Sequence, residues 1–193
     1  MKFIGLSFLL LFAPLSLAQS LVVFSNNEAA TSCSEFAFEA SLTNQSSEHY
    51  LSYCDRAIEN ETLLRADIAA SYLNRGVINM ALGHYSDAHA DYLTAQRMAE
   101  YLPEVYLNLG NLDFLQKNFA KAIENYGLAE QLGLRQAHIL YLNRGMALMN
   151  LGQLDAAEAQ YMQALGSRPN WSPAQQKLEQ LRQLRMQRDP ASP

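Results

Sequence analysis

Cysteine is scarce in this chain, with only Cys33 and Cys54 among 193 residues. They lack the close Cys-x-x-Cys spacing that goes with dithiol redox sites. Histidine is scarce too: His49, His84, His89 and His138. The one cluster, His84, His89 and Asp91, spaces its histidines off a single helix face, where zinc-binding pairs sit three or four apart. Solvated helix ends are the better reading, and neither a metal nor another cofactor is expected. No glycine-rich phosphate loop follows a strand, and no Gly-x-Ser-x-Gly elbow occurs. Asp87 and Asp91, like Glu124 and Glu130, read as single charges on helix exteriors. An enzyme is therefore not expected. Basic residues are also in the minority, 14 Lys and Arg against 19 Asp and Glu for a net charge of −5. Without a basic stripe, nucleic-acid binding is disfavoured. Alternating β-branched residues are missing between Asn44 and Gln187, so this region reads as helix throughout.

What the chain does have is a pattern in three copies: Tyr72-Leu-Asn-Arg-Gly76, Tyr106-Leu-Asn-Leu-Gly110 and Tyr141-Leu-Asn-Arg-Gly145. Gly76 to Gly110 is 34 residues and Gly110 to Gly145 is 35. Each glycine is followed at fixed distance by an alanine and a tyrosine: Ala88 and Tyr92, Ala122 and Tyr126, Ala157 and Tyr161. A further small residue closes each unit, at Ala95, Ala129 and Ala164. A period of this size marks an array of supersecondary units, each of which buries its apolar face on its neighbours. Small residues stand where two helices must approach closely, and large apolar residues recur around them at helical spacing. Turns are expected at Gly83, Lys117-Asn118 and Gly152, because glycine and asparagine tolerate the left-handed conformation. Pro103 suits the first turn of a helix.

These residues resemble the tetratricopeptide repeat, a 34-residue helix–turn–helix. The glycine and tyrosine positions match its pattern, and Pro169 ends the third copy as the family's proline does. The chain departs from the pattern at Arg75 and Arg144, where leucine is preferred, and at Asn79, Asp113 and Leu148, where an aromatic is preferred. The extra residue between Gly110 and Gly145 is assigned to the Leu132-Gly133-Leu134-Arg135 turn. The resemblance covers residues 69–169 and implies an all-α fold, a right-handed superhelix of antiparallel helix pairs forming an α-solenoid. It further implies that the first helix of each repeat lines a concave groove holding a peptide or partner helix. Carried over residue by residue, the groove takes Leu73, Asn74, Val77 and Met80 from the first copy. The second supplies Leu107, Asn108, Asn111 and Phe114, and the third Leu142, Asn143, Met146 and Met149. Asn74, Asn108 and Asn143 share one register; their amides suit either a ligand backbone or inter-repeat packing. The family's clamp for a terminal carboxylate needs lysine and arginine, whereas Leu73, Glu104, Leu107, Ile139 and Leu142 occupy that surface. The implied ligand is an apolar or amphipathic protein segment, and the implied role a non-catalytic adaptor. The alternative is a self-assembling structural subunit, hence a possible homo-oligomer.

The expected organisation is a signal peptide over 1–18, a flexible segment over 19–32 and a diverged helical hairpin over 33–68. Repeats follow over 69–102, 103–137 and 138–171, then a capping helix over 172–187 and a disordered tail over 188–193. The leader rests on Lys2, the apolar run over residues 3–12, Pro14 and the small residues before a cut after Ala18. It is short for a bilayer span. The chain is thus expected to be exported, to a bacterial periplasm or to the exterior, with no membrane span after cleavage. Asn44 and Asn60 open Asn-x-Ser/Thr sequences, which matter only in a eukaryotic secretory pathway. Ser32 and Glu35 form a capping-box pattern for the first hairpin helix. An antiparallel hairpin turning near Asn44 to Ser46 sets Cys33 opposite Cys54. The expected disulfide, worth about 3 kcal/mol in the chain-entropy model, is structural. Ser172-Pro173 opens the capping helix, whose Leu178, Leu181 and Leu184 face the array, with Trp171 filling the seam beneath it.

Overall fold

The computed structural model describes residues 27–188. The expected leader, most of the segment 19–32 and the tail beyond Arg188 lie outside the described residues. Among the described residues there are nine helices and no strand. They are α1 (Glu28–Thr43), α2 (Glu48–Ile58), α3 (Arg65–Leu82), α4 (Tyr85–Met98), α5 (Pro103–Leu115), α6 (Phe119–Gln131), α7 (Ala137–Asn150), α8 (Leu154–Ser167) and α9 (Ser172–Arg188). Successive helices pack as hairpins, and each hairpin packs on the next in chain order.

The first hairpin begins upstream of the expected Ser32 start. Asn27 caps α1 by accepting the Ala30 N–H at 3.0 Å, which satisfies one of the orphan donors of the first turn. Ser32 and Glu35 therefore lie inside the helix, and residues 27–32 are cap and first turns rather than a flexible segment. Asn44 ends α1 in the left-handed conformation at φ 53°. Cys33 and Cys54 are joined by a disulfide, with Cα atoms 4.8 Å apart. The bridge is buried, and Cys33 Sγ lies 3.8 Å from the Ser71 carbonyl of α3.

The three repeats share one interlock. A Cβ on Gly76 would lie 2.4 Å from the Tyr92 ring, and one on Gly110 or Gly145 would lie 2.5 Å from Tyr126 or Tyr161. Each glycine thus admits a tyrosine from the second helix of its own unit, and all three tyrosines are fully buried. Burying such a side chain contributes about 1.5–3 kcal/mol, so this contact is the recurrent fastener of the fold. The helix turns fall on Gly83, Lys117 and Gly152, with φ of 82°, 63° and 76°. In the middle unit it is Lys117, not Asn118, that takes the left-handed conformation. The extra residue is where it was expected, since the α6–α7 connection is one longer than the α4–α5 connection.

The apolar residues form two cores, and α5 divides between them. Val105, Leu109 and Leu112 join a core built from α1 to α4, while Leu107 and Phe114 join one built from α6 to α9. At the far end, Ala174 and Leu181 of α9 are buried on the second core, with Leu178 packed against it. Trp171 packs there too, edge-on to His138 with ring centroids 4.8 Å apart, so it fills the seam as expected. Arg185 fastens α9 to α8 through Glu158 at 2.6 Å and through Asp155. No described helix is long and apolar enough to cross a membrane.

Candidate functional site

Helices α3, α5 and α7 carry the twelve residues expected to line a groove. Leu73, Asn74, Val77, Met80, Leu107, Asn108, Asn111, Phe114, Leu142, Asn143 and Met146 are all buried, and Met149 is half-buried. The apolar members belong to the two cores. These side chains are turned into the seams between helices, so they form packed core as much as open lining. The family's pattern identifies the face, but not how tightly neighbouring helices close on it.

The polar members behave differently. Asn143 donates to Asn111 Oδ1 at 2.8 Å, and the Tyr126 hydroxyl donates to the same oxygen at 3.0 Å. These bonds tie α7 to α5 and α6 to α5. The remaining capacity is unused. Both polar atoms of Asn74, the Nδ2 groups of Asn108 and Asn111, and Asn143 Oδ1 are out of contact with solvent and have no hydrogen-bond partner. Most buried polar atoms in folded proteins are paired, and leaving one unpaired costs about 1–3 kcal/mol. Glu104, in the first turn of α5, also holds an unpartnered oxygen, Oε2. Glu104, Asn108 and Asn111 follow one another at i, i+4 and i+7, so they share a stripe of α5.

Arg75 and Arg144, the departures from the repeat pattern, connect units. Arg75 reaches Asp55 of α2 at 2.7 Å and forks onto Asp91 of α4 at 2.6 and 3.1 Å. Asn79 adds a bond to Asp91 at 3.0 Å. Asp91 is therefore buried and paired, not a lone charge on a helix exterior. Burial pushes its carboxyl up, against the bonds and charge of Arg75 and the bond from Asn79. Arg144 repeats the arrangement, reaching Glu130 of α6 and Gln160 of α8 at 2.6 Å each. At Glu130, burial pushes the carboxyl up, but bonds from Arg144 and Tyr141 outweigh it and hold it below the usual range. Of the histidines, His84 lies 3.4 Å from Glu48 of α2. Burial and the neighbouring Arg168 charge lower His138. Among the described residues no group of His, Cys, Asp or Glu is arranged to hold a metal.

Residues 139–170 match the family model of the tetratricopeptide repeat. No curated protein matches the chain. Among solved structures, the first TPR domain of Spaghetti (RPAP3) bound to the HSP90 peptide SRMEEVD is similar at 28% identity. It covers 60% of this chain and 91% of that one, with a TM-score of 0.57. The first TPR domain of human RPAP3 is similar at 25% identity, over 66% of this chain and 99% of that one, with a TM-score of 0.60. The Sgt2 TPR domain from Aspergillus fumigatus shares the fold at 20% identity, over 65% and 84% of the two chains, with a TM-score of 0.57. The repeat match and the helical fold together support a tetratricopeptide-repeat protein, built as an all-α, TPR-like solenoid.

Proposed function

We propose that this chain is a non-catalytic adaptor that binds a protein segment on the face formed by α3, α5 and α7. A protein–protein interaction module is the reading supported by the repeat match and by a similar TPR domain whose structure holds a peptide. The observation that carries it here is the row of buried asparagines, Asn74, Asn108, Asn111 and Asn143, whose amides have unused donors and acceptors. An amide presents both, as a peptide backbone does, so the row matches the backbone of an extended segment. The leader-like run over residues 1–18 is what supports placing this adaptor in the cell envelope or the exterior.

Two experiments test this reading. An array of short peptides probed with the chain starting at Gln19 is expected to retain it at specific spots, and Asn108→Ala is expected to weaken retention. Uniform absence of binding would overturn the groove. N-terminal sequencing of exported material is expected to begin at Gln19; an intact Met1 start in the cytosol would overturn the export assignment. A second reading, self-assembly, rests on Phe38 and Leu42, which stand i, i+4 on α1 at 47% and 63% exposure. Light scattering that shows a concentration-dependent oligomer, abolished by Phe38→Ser, would favour it.

A further inference from the structure

The charge on this face gives the ligand a chemical class. Resting on the groove reading above, we infer that the segment it takes is extended, apolar in its flanks and carries a lysine or arginine that pairs with Glu104. Glu104 Oε2 has no hydrogen-bond partner and is out of contact with solvent. A carboxylate oxygen in that state favours an incoming cation or N–H donor. The arginines nearest in register, Arg75 and Arg144, are already engaged by Asp55 and Asp91 and by Glu130 and Gln160. They are not free to meet an acidic ligand. Asn108 and Asn111 continue the Glu104 stripe along α5, each with a free Nδ2 donor, and are themselves 1% and 0% exposed. Donors there suit ligand carbonyls, while Asn143 Oδ1 and Asn74 Oδ1 suit ligand N–H groups. A cation at Glu104 with a backbone running over the amides uses every unspent atom of the row.

An acidic, carboxylate-terminated peptide such as SRMEEVD, held by the similar TPR domain, would instead set like charges together at Glu104. Because the row is closed to solvent, the ligand reaches it when the second repeat parts from the first along the α4–α5 seam. That seam is the one repeat joint without an arginine, since Leu109 stands in the register of Arg75 and Arg144.

The test uses the chain from Gln19 and three short peptides of alternating leucine and serine, capped at both ends, with lysine, glutamate or norleucine at the centre. Fluorescence anisotropy is expected to rank lysine above norleucine by about tenfold, the scale of one charge-assisted hydrogen bond, with glutamate weakest. Glu104→Gln is expected to erase the lysine preference over norleucine, while Asn108→Ala lowers binding of all three peptides together. Glu104→Asp, which keeps both the charge and the helix-terminal carboxylate, is expected to retain the ranking. Glutamate binding as tightly as lysine, or a ranking unchanged in Glu104→Gln, would overturn the charge assignment alone. Absence of binding by all three peptides would overturn the groove with it.

Discussion

The joint between the second and third repeats and the joint between the first and second are built from the same register with opposite chemistry. At the former, Arg144 links α7 to Glu130 on α6. At the latter, the same position is Leu109, packed into the core of α1 to α4. The upstream partner changes with it: one repeat before Glu130, at 130 minus 34, the chain has Gln96. A leucine therefore goes with an uncharged neighbour and an arginine with a carboxylate. The internal carboxylate follows suit. In the first repeat it is Asp91 on the second helix, facing Arg75 and held by Asn79. In the second repeat the pair is transposed: Asp113 sits on the first helix, accepts from Asn125 at 2.8 Å, and pairs with Lys121 at 3.2 Å. Charge is placed where a partner exists, and the joint without one is left apolar.

The largest effect expected from breaking this scheme is at Arg75. Arg75→Met leaves Asp91, whose side chain is 6% exposed, without its cation. Uncompensated buried charge costs about 3–5 kcal/mol, and urea unfolding is expected to show a loss of that size. A loss below about 1 kcal/mol would mean the staple is ornamental. The reciprocal change, Leu109→Arg, places a cation in an apolar seam and is expected to cost about 3 kcal/mol. Adding Gln96→Glu recreates the Arg144–Glu130 arrangement, so the double variant should recover at least about 1 kcal/mol of that loss. Additivity of the two changes would contradict the register argument.

A smaller effect sharpens the comparison at the turns. Lys117 holds the left-handed conformation that Gly83 and Gly152 hold in the other repeats, at a cost of about 1 kcal/mol for a residue with a side chain. Lys117→Gly is expected to raise the melting temperature by a few degrees, and no change would mean the strain is relieved elsewhere. The smallest effect concerns pH. His138 is lowered by burial and by Arg168, so the unfolded chain binds its proton more readily than the folded one. Its contribution to stability is complete above about pH 6.5, the ordinary histidine value, and is lost as pH falls below it. Glu130, held low, adds a loss in the more acidic carboxylate range. Melting temperatures between pH 7.5 and pH 5.5 are expected to fall, and to fall less in His138→Gln.

Much of this fold was legible because its fasteners recur. Gly76, Gly110 and Gly145 and their tyrosines mark the close helix approaches by residue type alone, and the hairpin turn places Cys33 by Cys54. What was not legible is pairing at a distance. Arg75 and Asp91 are 16 residues apart, as are Arg144 and Gln160. The sign lay in an arginine at an apolar position with a polar residue at that fixed offset, a signal visible only once two units are superposed. The start of α1 was missed because Asn27, outside the repeat register, caps better than the capping box downstream. The asparagine row was identified by register, whereas its burial depends on how closely α3, α5 and α7 approach one another.

The central claim is that the array opens at the α4–α5 seam, giving a ligand access to the buried amides. Hydrogen–deuterium exchange tests it most directly, by comparing the backbone around Leu109 with the equivalent backbone around Arg144. The account predicts faster exchange around Leu109 in the free protein, and slowing there when the lysine-centred peptide is added. Equal or slower exchange around Leu109 would contradict it.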